Sequence, residues 1–547
     1  MSMRQVAQPA ETWEPQPARH DMTTARIRVL LLISEAPPIV SGVSRIAFQL
    51  KQGMEILGYG VDIISLADVP RFVSGELRIS SMLWKAPRIL LPRLDSYDII
   101  HIHGPVPTFS DIAILVSALR FGSARPSIVY THFSEIDLRG YRFFCEIYNR
   151  MHKHLARLAH HVLVSTPSYA TALARYMPSG RISVVPWGVD RGWYDSSVPK
   201  ADRFTVLFVG QLRPYKGVET LLGAVEGLED VDVQIIGGGH EEVYYRDLAA
   251  KRALKHVTFR GRVSDRELFD SYARAHVLVL PSTTRAEAFG LVLLEGMVAG
   301  CVPLVSQLPG VTDLVGDAGV SFPVGDKSAL ATLLTRLRDD RALWDLYSSR
   351  ARERAHRFSW QQTFSLHHAV YQQLMAVRRF SKALRTGQDV VMSLKGLLHD
   401  AITTLGASSG SVMLWEPQEQ GLRVRVSHGL PFDMRHDGVQ PLGQGIAGFV
   451  ASHNTALLLP EAFAEASNRE LTHFARRPHI RSSISVPITA RRRTLGVVNL
   501  SIYEEDHRFQ DGDVQWLNTL ASRVGDVLIK QTQPGQAGSM VMKGAIS

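Results

Sequence analysis

Only two of the 547 residues are cysteine, Cys145 and Cys301, and they lie far apart in apolar surroundings. So few thiols exclude a disulfide framework and a cysteine-based metal site, and they point to a reducing compartment. The sequence has no run of roughly 18 or more predominantly apolar residues, which argues against a spanning helix. The first 26 residues, MSMRQVAQPAETWEPQPARHDMTTAR, also lack an apolar stretch. They read as a polar, Pro-rich flexible tail, neither a signal peptide nor an anchor, and the expected location is cytoplasmic. Acidic residues are in deficit, 52 against 61 basic, for a formal net charge of +9. That excess suits phosphate-bearing partners such as nucleotide sugars, anionic lipid headgroups or nucleic acid, and equally suits plain solubility. The remaining balance, 45% apolar and 21% charged, excludes a wholly disordered chain and supplies a core for three or four domains.

From residue 27 to 186, short apolar runs alternate with helical segments. IRVLLLI (27–33), VDIISL (61–66), DIIHIHG (98–104), SIVYTH (127–132) and HVLVS (161–165) read as buried strands. SVVPWGVD (183–190) reads as a crossing linker, after which the alternation restarts over 187–358. FTVLFVG (204–210), VDVQIIGG (231–238), HVTFRG (256–261), AHVLVLPS (275–282) and CVPLVS (301–306) are five further strands. The expectation is two α/β domains of Rossmann-like type, each a parallel sheet covered on both faces, with ligands beyond the strand carboxyl ends. Residues 359–388 read as a crossing and linker helix. Residues 389–531 form a third, α+β domain without the βα rhythm, and 532–547 a flexible tail.

The richest stretch is RAEAFGLVLLEGMVAG (285–300), in which Glu287 and Glu295 stand eight apart around Phe289–Gly290. A helix starting near Gly290 would leave free backbone N–H groups for an anion. The two carboxylates would accept hydrogen bonds from the hydroxyls of a nucleotide sugar. Two glutamates at this spacing alone would more often be a solvated helix face. A preceding strand, a Phe-Gly turn and Lys216 some seventy residues earlier favour the site. The arrangement resembles the E-x7-E motif of family 4 retaining glycosyltransferases of the GT-B fold, two Rossmann-like domains with a facing cleft. Further motifs extend the resemblance over about 28–375. FVGQLRPYKGVETLLGA (208–224) resembles the strand–loop–helix that carries the donor-phosphate lysine, here Lys216. SGVSRIAFQL resembles the N-terminal glycine loop, with Gly42 at the phosphate approach, and VVPWGVD the interdomain segment.

The resemblance implies a nucleotide-sugar donor, a glycan or lipid-linked acceptor and retention at the anomeric carbon. It implies His132 near the donor sugar, Val263 near the base, and neither a metal requirement nor nucleic acid. Gln211 stands where the family usually has an arginine that contacts the diphosphate, and Arg213 is the candidate replacement. His103 and Gly237–Gly239 read as structural or as cleft-lining. The segments LWKAPRILLPRL (83–94) and NRMHKHLARLAHH (149–161) mix basic and apolar residues. They suit either packing on their own sheet or peripheral contact with an anionic membrane, at its inner face. Residues 389–531 resemble a GAF domain, which implies an unknown small ligand, self-association or regulation of the transferase. A thioether-linked bilin is excluded because this domain has no cysteine, and His428, His453, His473 and His479 are only formal haem candidates. Two other functions stay open: a sugar phosphorylase or nucleotide-sugar hydrolase of the same fold, and a catalytically weak nucleotide-sugar sensor.

Overall fold

The computed structural model describes residues 26–531 apart from 37–40, 66–67, 69–70, 75–76, 81–89, 120–125, 138–140, 191, 193–197, 431–437, 460–479, 492 and 505–506. In chain order the first unit contains β1 (Arg28–Ile33), β2 (Gly60–Ser65), a short hairpin of β3 (Arg71–Ser74) and β4 (Leu77–Ser80), β5 (Ile99–Gly104), β6 (Ser127–His132), β7 (His161–Val164) and β8 (Ile182–Val184). All but the hairpin form one parallel sheet ordered β2-β1-β5-β6-β7-β8. Its inner strands are buried along their whole length and largely aliphatic, as a sheet covered on both faces requires. The crossing linker expected over 183–190 begins later than read, because β8 takes Ile182–Val184 as an edge strand beside β7. A strand of three residues leaves no periodicity to detect. Chain crossing proper occurs at Val189, which bridges to Ser359.

The second unit repeats the plan with β9 (Thr205–Val209), β10 (Asp232–Ile236), β11 (Val257–Gly261), β12 (Val277–Leu280), β13 (Val302–Ser306) and β14 (Val320–Phe322). Its parallel order is β11-β10-β9-β12-β13-β14. Strand order therefore reverses between β9 and β12, whose carboxyl ends open a crevice where sheets of this type bind ligands. The third unit holds β15 (Ser409–Glu416), β16 (Gly421–His428), β17 (Gln440–Pro441), β18 (Leu457–Leu459), β19 (Ser482–Ala490) and β20 (Arg493–Ile502) in an antiparallel sheet ordered β17-β16-β15-β20-β19-β18. β19 and β20 form a hairpin, closing at Ala490↔Arg493. His428 neighbours His399 and His453 stacks on Phe449, while His473 and His479 lie outside the described residues.

Helix Trp360–Arg385, capped by the Ser359 hydroxyl, joins all three units. Its 26 residues span about 39 Å. Trp360 enters the core of the second unit, Val370, Tyr371 and Leu374 that of the first, and Ala376 and Phe380 that of the third. Helix Asp511–Gln531 fastens the third unit to the first. Trp516 Nε1 donates to Ala369 O at 2.7 Å, Gln373 Nε2 donates to Trp516 O at 2.8 Å, and the Arg523 guanidinium donates to His160 O at 3.1 Å and His161 Nδ1 at 2.5 Å.

Three imidazoles are sealed where the crossing helix meets β5. His101 bonds Tyr371 and Thr131, His367 Nδ1 donates to Thr363 O at 2.7 Å, and His103 lies against His101 with ring centroids 4.2 Å apart and both ring nitrogens unpaired among the described residues. Burial pushes the pKa of His103 down to about 3 and that of His367 to about 4, and holds His101 well below the usual range. Each folded-state value lies below the unfolded one of about 6.5, so the unfolded chain binds the extra protons. Stability is therefore complete above that value and falls as pH drops from about 6.5 toward 4. His103→Phe is expected to keep neutral-pH stability within about 1 kcal/mol and to flatten this slope by about one proton, read from urea midpoints at several pH values.

Candidate active site

At the carboxyl end of β9 the chain turns through Gly210–Arg213 into a short 3-10 turn, Pro214–Lys216. Gly217 follows with φ 68°, and a Cβ there would lie 1.9 Å from the carbonyl oxygen of Pro281. Only glycine lets this turn lie against the loop that leaves β12. Thr283 N donates to Tyr215 O at 2.7 Å and fastens the two loops. Lys216 Nζ then donates to Glu287 Oε2 at 2.5 Å, and Ser282 Oγ donates to the same oxygen at 3.1 Å. Burial works against the Lys216 charge, but Glu287 and Tyr215 outweigh it and raise the pKa above the ordinary lysine value. The side chain is an ammonium at any working pH. Arg213 lies close enough for its charge to oppose that of Lys216.

Gly237 sits at φ 127° with a would-be Cβ 1.9 Å from Gly210 O, and Gly239 closes similarly on the Leu212 backbone. The glycine run after β10 thus serves close packing of the Gly210–Leu212 loop. Val263 follows β11, half-buried against the core of the second unit.

Gly290, at φ 80°, is the N-cap of helix Leu291–Val298, and Phe289 is buried against Phe358. The helix starts where the sequence places it, and Phe289 packs in the core beside that start. Glu295 does not meet Lys216. Its Oε2 accepts from Tyr272 OH at 2.8 Å, and its Oε1 accepts from the Arg45 guanidinium of the opposite unit. Burial raises the Glu295 pKa, with Arg45 and Tyr272 acting against it. Arg45 is carried by helix Gly42–Ile56, whose first residue Gly42 faces Leu291; a Cβ on it would come within 3.6 Å of that side chain. The glycine loop of the first unit thus sits over the helix start of the second.

His132 ends β6 on the same side of the cleft. Its Nδ1 lies 3.3 Å from Tyr130 OH, which is 2.7 Å from His152 Nε2, and His152 Nδ1 is 2.5 Å from Asp111 Oδ1. A neutral imidazole has one donor and one acceptor nitrogen, so donation from His132 Nδ1 to the Tyr130 oxygen would leave Nε2 as a hydrogen-bond acceptor. Burial, reinforced by His152 and Lys153, lowers the His132 pKa to about 3. His132 is a neutral group here. Nearby, Glu135 accepts from Lys153 of its own unit and, at 3.3 Å, from Arg285 of the other.

Arg45, Tyr272, Ser282, Glu135 and the Asp111–His152–Tyr130 chain are absent from the sequence reading. Arg45 and Glu295 are 250 residues apart, and Asp111 and His152 are 41 apart, so no local pattern links them. Ser282, between the end of β12 and Glu287, was the one with a local signal. Gly217→Ala is expected to destabilise the protein by about 2 kcal/mol or more and to lower turnover with it, read from urea unfolding and activity on the same preparation.

Residues 40–193 match the model of Glycosyltransferase Family 4, residues 193–356 that of Glycosyl transferases group 1, and residues 376–528 that of the GAF domain. The chain is 28% identical over 350 residues to the O-antigen chain mannosyltransferase C of Escherichia coli, covering 58% of this chain and 90% of that protein. It is 35% identical over 188 residues to a phosphatidyl-myo-inositol mannosyltransferase of Mycolicibacterium smegmatis, covering 32% of this chain and about half, 48%, of that relative. The sucrose-phosphate synthase of Thermosynechococcus elongatus superposes with TM-score 0.53 at 21% identity, over 64% of this chain and 100% of that one. Anabaena HepE in complex with UDP and glucose does so with TM-score 0.50 at 20% identity, over 63% and 99%. With the two matched transferase models back to back over both parallel-sheet units, the chain belongs to the family 4 glycosyltransferases of GT-B fold and carries a GAF domain behind them.

Proposed function

We propose that the enzyme transfers a sugar, with retention, from a nucleoside diphosphate sugar to a hydroxyl of a glycan or glycolipid acceptor. The observation that carries this reading is the Lys216–Glu287 pair at the point where the second sheet reverses its strand order, beside the N-terminus of helix Leu291–Val298. Lys216, with Arg213 as the second cation, would hold the departing diphosphate, and the N–H groups after Gly290 would add partial positive charge. The Gly42 loop would approach the same phosphates from the opposite unit. Glu287 would read a hydroxyl of the donor sugar, and Glu295 the ribose, which would share that carboxylate with Tyr272 and Arg45. His132 would accept a donor hydroxyl through Nε2, and the backbone around Val263 would meet the base. As the sugar–oxygen bond opens, the developing charges are an oxocarbenium-like carbon and a diphosphate, and the protein acts by placing groups and stabilising the latter. The GAF unit would regulate the transferase or pair it with a second copy.

A charge-assisted bond to the leaving group is worth about 1.5–3 kcal/mol. Lys216→Ala is accordingly expected to lower turnover roughly 10- to 100-fold. The measurement is nucleoside diphosphate release from a panel of nucleotide sugars with acceptor, which EDTA should leave unchanged. Sugar 1-phosphate formation that depends on inorganic phosphate would replace this reading with phosphorolysis, and tight binding without turnover would replace it with a sensor.

A further inference from the structure

Helix Arg142–Ala156 of the first unit has two apolar faces where a soluble helix needs one. Its inner face buries Cys145, His152 and Ala156. Its outer face exposes Phe143, Ile147 and Met151 at successive spacings of four, with Phe144 alongside and Tyr141 and Leu158 at the two ends. The two phenylalanines are each 68% exposed. Side chains at this spacing form one continuous ridge, and contiguous apolar surface of this kind marks a docking site. A second row follows its flank: Arg150, His154 and Arg157, all exposed, with Arg142 at the start of the helix. None of the three arginines has an ion pair among the described residues. Glu146 is the one acidic side chain in residues 141–158.

We propose that this face docks on an anionic lipid bilayer, with the ridge in the boundary between headgroups and acyl chains and the arginines among the phosphates. An aromatic and aliphatic stripe bordered by cations is the pattern of helices that lie in such an interface, where long basic side chains keep their charge in the headgroup layer. A second copy of the chain fits less well, since a two-fold contact sets the same patch against itself and brings arginine toward arginine. The inner face of the same helix supplies His152 to the Asp111–Tyr130–His132 chain, and Lys153 supplies the Glu135 bond at the cleft. Docking there would hold the acceptor side of the cleft next to the membrane. Vesicle binding by this face does not depend on how the donor is held.

The test is flotation of the full chain with phosphatidylcholine vesicles, with and without phosphatidylglycerol. The expected result is recovery with the anionic vesicles only. Arg142→Glu, Arg150→Glu and Arg157→Glu together should weaken binding roughly 100-fold, and Phe143→Ser with Phe144→Ser roughly 10-fold or more. Both variants should melt at the wild-type temperature. If the phenylalanine variant does not fold, the arginine variant decides alone, since its substitutions are all at exposed positions. Wild-type chain that stays out of the anionic vesicle fraction overturns the proposal, as does binding that neither variant weakens. Concentration-dependent dimers that the phenylalanine substitutions abolish, without vesicle binding, assign the face to a second copy instead.

Discussion

Two loops, one leaving β9 and one leaving β12, have to touch for anything in the cleft to be in place. Their contact is closed by the absence of a side chain at Gly217 over Pro281 and by the hydrogen bond from Thr283 N to Tyr215 O. Across that closure the Lys216 ammonium and the Glu287 side chain, both largely withdrawn from water, are bonded directly, and Glu287 favours the lysine charge. Separating one from the other would leave an uncompensated buried charge, which costs several kcal/mol, about 3–5 in measured cases. The pair therefore fixes the geometry of both loops at once. Under the proposed function the pair would also preset the donor pocket, because a phosphate would approach Lys216 only in competition with Glu287.

The opposite wall of the cleft is built by different means. His132 is held by a line of hydrogen bonds running inward through Tyr130 and His152 to Asp111, so its orientation depends on a carboxylate at the far end. Arg45 and Arg285 cross the cleft in opposite directions, one reaching Glu295 from the first unit and the other reaching Glu135 from the second. The two arginines are themselves partly open to solvent, whereas Glu295 is buried and Glu135 half-buried.

The division of the chain into two parallel α/β units and an antiparallel third was legible because buried parallel strands are written as short continuous apolar runs. β6 has the bounds read from the sequence. The short elements β8, β14 and the β3–β4 hairpin were not legible: unlike the equally short β7 and β12, which sit in longer apolar runs, they interrupt three or four positions with serine or arginine. In the candidate site, the positions of Lys216, Glu287 and Gly290 were legible because each sits where a strand passes into a loop or helix. The neutral state of His132 and the partners of Glu295 were not, because both are set by groups that the fold brings in from other elements.

Helix Trp360–Arg385 shares its residues among three separate cores, and the last helix of the GAF unit is bonded to the transferase through Trp516 and Arg523. The GAF unit is thus no detachable appendage. Cutting the chain between the two would strip Ala376 and Phe380 of their packing on one side and bare the docking strip around Ala369 on the other. The fusion has become a single architectural piece, and its two parts are to be inherited, expressed and engineered together.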